Sequence, residues 1–483
     1  MNTPTPSTAP RHRLRFYRAV WRWHFYAGLL VLPVIAWLAL TGAAYLYKTP
    51  LDRAFHHRLK VVDVGHERLR PQQLLEAASR AQPGQVFRYT TPATDDASVE
   101  VAVMTPEARH EVIYVDPYTG AVLGQLPDRG TLAGVIRRLH SLDLFGPIAS
   151  GVIELAAGWA ILLVLTGVYL WWPRARVAHA AQVPAGQLGR GDLGGVLWVR
   201  GRPSQRLFWR DVHAVTGVLV GGVLLFLALT GMPWSVLWGA KVNQWVNGHD
   251  FGYPRGVRVE VPMSTQRLGQ TTTPAWSLRQ AQLPDSTLPD PHAGHAGHDM
   301  RGMAGMQGQA HDAMGLDAAI ARFDALGVAP GYSVSLPRGA HGVYTASVYP
   351  SDLHAQRVVH LDQYSGQVLL DVGYDAYGPA GRALEWGINV HLGQEYGTAN
   401  QLVLLLACAG IVLLCVSGAA MWWKRRPQRG LGVPPMPVEP GTLRVIFGLL
   451  LIGGLLFPLV GASLLLIAAL DRWWLRDNAR ATR

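Results

Sequence analysis

Apolar residues fall in five long runs, at about 23–47, 148–172, 212–238, 398–423 and 445–470, separated by polar stretches of very unequal length. Each run is long enough to cross a hydrocarbon core of roughly 30 Å as a helix. The first is too long for a signal-peptide core and has no small-residue cleavage site, so it is expected to stay as an anchor. In the two long polar stretches the period changes. A helical pattern over 71–82 precedes alternating strands at 86–90, 98–104, 110–116 and 121–125; a second helix at 316–327 precedes strands at 332–336, 342–349, 356–361 and 367–371. The expectation is a membrane protein, mainly an α-helical bundle of five transmembrane helices, with two α+β domains outside the bilayer.

Composition agrees: 49% of the 483 residues are hydrophobic and 17 are Trp. The net charge of +11 raises the question of nucleic acid, but the basic residues cluster beside the apolar runs instead of interleaving with aromatic platforms. Arg11, Arg13, Arg15, Arg18 and Arg22 precede the first run. Arg174, Arg176, Arg190, Arg200, Arg202 and Arg206 follow the second, and Lys424, Arg425, Arg426, Arg429 and Arg444 follow the fourth. By the positive-inside rule, segments 1–22, 173–211 and 424–444 are cytoplasmic, and 48–147 and 239–397 lie outside. Five crossings would then put the tail, 471–483, outside in spite of its arginines. Cys408 and Cys415 are seven residues apart in the fourth run, roughly 10 Å along a helix and too far for a disulfide, and are expected to be packing residues. There is no Cys-x-x-Cys-His haem attachment motif.

The chain repeats. His24 and His213 are each followed by Gly four residues on (Gly28, Gly217) and by Thr-Gly after seventeen and eighteen (Thr41-Gly42, Thr230-Gly231). His140 and His391 are each followed by Gly at plus six, a hydroxyl residue and Gly at plus 26 and 27 (Thr166-Gly167, Ser417-Gly418), and a Trp pair. "VIYVDPYTGAVL" at 112–123 aligns with "VVHLDQYSGQVL" at 358–369. The unit helix, outer domain, helix is thus used twice in one orientation, which predicts two halves about a pseudo-two-fold axis along the membrane normal. Asp-x-Tyr-Thr/Ser-Gly is expected to be a turn between the last two strands, with scaffolding as its main role.

The "DPYTG" and "DQYSG" hairpins, "LTGVYLWWPR", and "HLGQEYG" followed by "SGAAMWWKRRP" resemble the PepSY-associated transmembrane proteins over about 15–425. This bacterial inner-membrane family includes ferric-siderophore reductases. The resemblance implies two periplasmic PepSY-like domains, b-type haems between the helices, and reduction of iron-siderophore complexes in the periplasm. The fifth run and a Met/His-rich insertion depart from the family pattern.

Ionisable residues inside a membrane are costly and usually line a functional path, and neutral imidazole is a haem-iron ligand. His24 and His213 fall at the cytoplasmic ends of their runs and His140 and His391 at the outer ends, so two bis-histidine haem b groups are expected, one per leaflet. His56 and His57 are rivals for the outer site. Gly28 lies about 40° from His24 on a helix, and Gly42 returns to the same azimuth about 27 Å away. Gly217 and Gly231 repeat this, so the four glycines are candidates for clearance against a porphyrin, or for helix packing. Glu154 has Leu405 at its repeat position. It is a candidate to orient a ligand or carry a proton, or a carboxyl simply hydrogen-bonded to a neighbouring hydroxyl.

Residues 292–314, "HAGHAGHDMRGMAGMQGQAHDAM", hold His292, His295, His298, Met300, Met303, Met306, His311 and Met314. Imidazole and thioether donors suit copper(I), and the Gly and Ala spacers suit either exchangeable capture or a plain linker. "GRGDLG" at 189–194 follows no strand and is discarded as a nucleotide site. Electrons would come from a cytoplasmic flavoprotein reductase or from quinol. The leading expectation is electron transfer across the bilayer to a periplasmic ferric-siderophore or other metal complex. Rivals are a non-enzymatic PepSY binding or regulatory protein, and a copper-handling accessory.

Overall fold

The computed structural model describes residues 9–180, 195–248, 261–272, 274–288, 313–426, 448, 451–467 and 469, with backbone only for 9–15, 173–180 and 247–248. The "GRGDLG" segment, most of the Met/His-rich insertion, most of the 424–444 loop and the 471–483 tail lie outside the described residues. The chain divides into a helical unit (Met1–Leu46, Arg137–Lys241, Thr398–Arg483) and a sheet-bearing unit (Tyr47–Ile136, Val242–Gly397).

In the helical unit four helices are long and apolar enough to cross a membrane: Phe16–Tyr45, Pro147–Trp172, Arg206–Trp234 and Gly397–Arg425, called here the first to fourth spans. They are apolar nearly all round, as helices solvated by lipid are. Large side chains such as Leu40, Leu165, Leu219 and Leu406 point outward. The inward face of the first span is a stripe every fourth residue, Ala27, Val31, Ile35 and Ala39, which shares a core with Ala156, Trp159 and Ala160 of the second. Small residues in that stripe let the backbones approach, the main source of helix adhesion where lipid is as apolar as leucine. The first and third spans both lie along the second. Cys408 and Cys415 of the fourth are buried in the same core as free thiols.

The fifth apolar run departs from a single straight crossing. Its described part is a helix over 451–456, a bend at Phe457, and a helix Pro458–Ile467 that is too short to span. Pro458 has no N–H to continue the helical ladder, and suits the first position of the next helix. A Cβ on Gly454 would lie 2.8 Å from the Cα of Gly461, and one on Gly461 would lie 2.9 Å from the Cα of Gly454, so the two arms fold against each other at these glycines.

The sheet-bearing unit joins what the sequence presents as two separate domains. Strands β1 (Gln85–Thr90), β2 (Val99–Met104), β3 (His110–Val115) and β4 (Val122–Pro127) come from the first repeat. A short pair, β5 (Met263–Arg267) and β6 (Gln282–Pro284), precedes β7 (Ser333–Ser335), β8 (Val343–Val348), β9 (Arg357–Asp362) and β10 (Val368–Gly373) of the second. The eight repeat strands form one antiparallel sheet in the order β10-β9-β8-β7-β1-β2-β3-β4. The halves meet where Arg88, Tyr89 and Thr90 pair with Ser335, Val334 and Ser333. Helices Pro71–Ala81 and Leu316–Ala325 cover one face, sharing a core in which Leu74, Ala78, Val101 and Ile113 of one repeat meet Ala319, Phe323, Ala346 and Val359 of the other.

Both Asp-x-Tyr-Thr/Ser-Gly stretches are turns. Asp116 accepts from the Tyr118 and Thr119 amides at 2.8 and 3.3 Å, and Asp362 from those of Tyr364 and Ser365 at 2.9 and 2.8 Å. Gly120 and Gly366 take φ of +72° and +68°, a region that favours glycine. These contacts make the turn expected of the motif.

Candidate functional site

Three of the four repeated histidines belong to the helical unit, and each is fixed through Nδ1. The Thr41 hydroxyl donates to the Trp37 carbonyl at 2.7 Å, so its oxygen accepts from His140 Nδ1 at 2.9 Å. The Thr166 hydroxyl donates to the Leu162 carbonyl at 2.7 Å and accepts from His24 Nδ1 at 2.8 Å. Nδ1 of His213 stands 3.1 Å from the Leu414 carbonyl, which can only accept, and 3.2 Å from the Ser417 hydroxyl. These partners place the proton on Nδ1 in all three rings, so that Nε2 is the ring nitrogen that could accept a metal. A partner on the second ring nitrogen is what orients a ligating imidazole and sets its tautomer.

The first two spans exchange these bonds reciprocally: the first supplies His24 and Thr41, the second Thr166, and His140 precedes it. This accounts for three of the four hydroxyl-Gly pairs: the hydroxyl oxygen accepts a hydrogen bond from the imidazole N–H, and the glycine beside it makes room for the ring. A Cβ on Gly42 would lie 3.3 Å from His140 Cε1, on Gly167 3.4 Å from His24 Cε1, and on Gly418 3.7 Å from His213 Cε1. Gly42 therefore serves the imidazole. A Cβ on Gly28 or Gly217 would make ordinary contact with Leu163 or Leu414, at 3.9 and 3.6 Å, the packing alternative for those two. Gly231 is the last residue of the α-helix Arg206–Gly231, and the third span continues through a 3-10 turn at Met232–Trp234.

His24 and His213 come together, with ring centroids 6.5 Å apart and planes at 86°. Two imidazole–metal bonds of about 2 Å each, in line through one metal, put the ring centres roughly 6 Å apart. The spacing and the Nδ1 anchors are such that this pair could hold one metal ion between its two rings. His391 ends the helix Pro379–His391 of the sheet-bearing unit. Among the described residues no group of three or more His, Cys, Asp or Glu side chains forms a metal cluster.

The rival His56 is engaged otherwise. Its Nε2 accepts from the Leu132 amide at 3.0 Å while Asp52 accepts from that of Ala133 at 2.7 Å, so the two cap the helix Leu132–His140. His57 is exposed in a short helical turn. Glu154, buried in the second span, accepts from the amides of Leu237 and Trp238 at 2.8 and 3.2 Å. It caps the start of the helix Trp238–Gly248; its described partners are backbone amides and not the hydroxyl expected in the plain reading, and no histidine partner is described for it. Of the Met/His-rich set, only Met314 is described. Its amide donates to Gln363, its carbonyl accepts from the Tyr344 hydroxyl, and its side chain packs on the sheet core. His292, His295, His298, Met300, Met303, Met306 and His311 lie outside the described residues.

Sequence reasoning passed over two further features. The hydroxyls of Thr41, Thr166 and Ser417 were visible in the repeat but valued only as neighbours of glycine. Asp211, two residues before His213 and fully buried, holds Arg200 at 2.8 Å and Arg210 at 2.7 Å. It thus binds the preceding loop to the third span at the histidine's level.

No curated protein sequence matches the chain. The sequence pattern of the PepSY-associated TM region matches residues 21–425, from just before His24 to the end of the fourth span, and the chain belongs to that family.

Proposed function

We propose that the protein is a haem b electron carrier of the bacterial inner membrane that reduces a periplasmic ferric-siderophore or another metal chelate. The observation that carries this reading is the His24–His213 pair: two half-buried imidazoles 6.5 Å apart, both anchored through Nδ1. His24 and His213 would hold one haem toward the arginine-rich side, and His140 would serve a second toward the other. Bound haem would supply reversible one-electron chemistry. The chain's part is to keep each Nε2 unprotonated, to hold ring orientation through Thr41, Thr166, Leu414 and Ser417, and to exclude water with the apolar core. In a substrate of this class, adding one electron to the ferric ion weakens its hold on hard oxygen donors and frees the metal. The electrons would come from a flavoprotein reductase or from quinol.

The test is the absorption spectrum of the purified protein made with adequate haem. A dithionite-reducible b-type Soret and α-band is expected, with haem stoichiometry falling by about half in His24→Ala or His213→Ala. Absence of the bands would leave the reading without support.

A further inference from the structure

The last apolar segment reads against the second span in an order that one straight helix cannot produce. Gly453 lies against Leu162, with a built Cβ at 3.7 Å; Phe457 and Val460 lie against Gly158; Leu459 lies against Gly151. Up to this point the chain climbs antiparallel to the second span. Ser463 then stands beside Trp159, accepting from its Nε1 at 3.0 Å, so the chain has come back down. The Gly454–Gly461 contact closes the same turn. We propose that residues 451–467 are a re-entrant helical hairpin, which enters the bundle from the arginine-rich side, turns at Phe457–Pro458, and returns to the side it came from. The chain then crosses the membrane four times, and Arg472, Arg476, Arg480 and Arg483 join the other arginine clusters on one side, where the positive-inside rule wants them.

The hairpin also has something to cover. Gly151, Glu154 and Gly158 lie within about 100° on one face of the second span. A carboxylate on a face turned to hydrocarbon is costly. The hairpin seats on both glycines, and Phe457 packs on Trp238, whose amide bonds Glu154, with ring centroids 6.3 Å apart. On the fourth span the repeat positions are Leu402, Leu405 and Ala409, of which Leu402 and Ala409 are exposed. With no carboxylate there, no cover is needed. The hairpin is a lid built for the unrepeated acid of the second span.

The proposal rests on the orientation read from the arginines, and the experiment separates the two. In a Cys408→Ala/Cys415→Ser background, single cysteines replace His66 in the sheet-bearing unit, Arg202 in the loop before the third span, and Arg476 in the tail. Spheroplasts are treated with a membrane-impermeant maleimide. Labelling of His66→Cys alone is expected, with Arg202→Cys and Arg476→Cys reacting only after the membrane is opened. Labelling of Arg476→Cys but not Arg202→Cys from outside would overturn the hairpin. If both react and His66→Cys does not, the orientation is reversed and the hairpin stands. As a second measurement, Gly461→Val should lower the melting temperature of the full-length protein well below that of Gly448→Val, since Gly448 faces open space. Equal melting would overturn the folded-back geometry.

Discussion

Thr41 decides which nitrogen of His140 is available. Because its hydroxyl hydrogen goes to the Trp37 carbonyl at 2.7 Å, its oxygen can only accept at 2.9 Å from the ring, and Nδ1 must carry the proton. Thr41→Val keeps the shape of the side chain and removes that acceptor. Loss of such a partner weakens metal binding roughly 10–100-fold. In the dihaem reading, the variant should lose the haem assigned to His140 and keep the one assigned to His24 and His213, while Thr41→Ser retains both. Haem stoichiometry and low-temperature electron paramagnetic resonance would show this. An unchanged signal in Thr41→Val would mean that His140 needs no anchor.

Gly167 makes the complementary case by volume. A Cβ there meets His24 Cε1 at 3.4 Å, a contact the ring absorbs by a small shift. Gly167→Ala should therefore leave haem content near wild type, while Gly167→Leu displaces the imidazole and loses the His24 site. A Gly167→Leu protein with full haem occupancy would show that the ring is not confined there.

Glu154 is bonded to two backbone amides, and that geometry predicts a stability role. Glu154→Ala removes the acceptor of the Leu237 and Trp238 N–H groups, at a cost of about 1 kcal/mol each. The full-length protein should melt at lower temperature in Glu154→Ala, and by less in Glu154→Gln, which keeps one acceptor oxygen. Haem content should stay the same in both. A proton carrier would behave differently: Glu154→Gln would fold normally and lose the pH dependence of electron transfer.

How much of this was legible beforehand depends on the range of the interaction. The helices and strands were readable because apolar period is local: the observed β2, Val99–Met104, overlies the alternation at 98–104. The joining of the two repeats through β1 and β7 was not, since Ser333–Ser335 is three residues long and carries no strong apolar alternation. The histidines were found by repetition, but their hydroxyl partners sit 99 and 142 residues away. Sequence spacing reports a helix face and not what stands opposite it. Arg200 reads as a topology signal from its place beside the apolar runs, but its ion pair with the buried Asp211 depends on a fold contact that spacing does not show. In the last run Gly454, Pro458 and Gly461 were all in view, yet an apolar run by itself does not say whether it crosses or turns.

His360 makes the sheet-bearing unit sensitive to acid. It replaces the Tyr114 of the first repeat, is 2% exposed, and has its Nδ1 2.9 Å from the Thr345 hydroxyl. Burial pushes its pKa down from 6.5 to about 4. Above pH 6.5 neither the folded nor the unfolded chain protonates this residue, and it adds no pH dependence. Between pH 6.5 and about 4 the unfolded chain binds a proton that the folded chain refuses, so stability falls as pH falls; below that both bind it and the loss is complete. The loss is on the order of 3 kcal/mol. His360→Gln removes the titrating group and keeps a partner for Thr345. Its melting temperature, followed by the circular dichroism of the sheet, should fall less steeply than wild type across that window and in parallel with it at higher pH. Identical slopes for the two proteins would place the acid sensitivity in other groups.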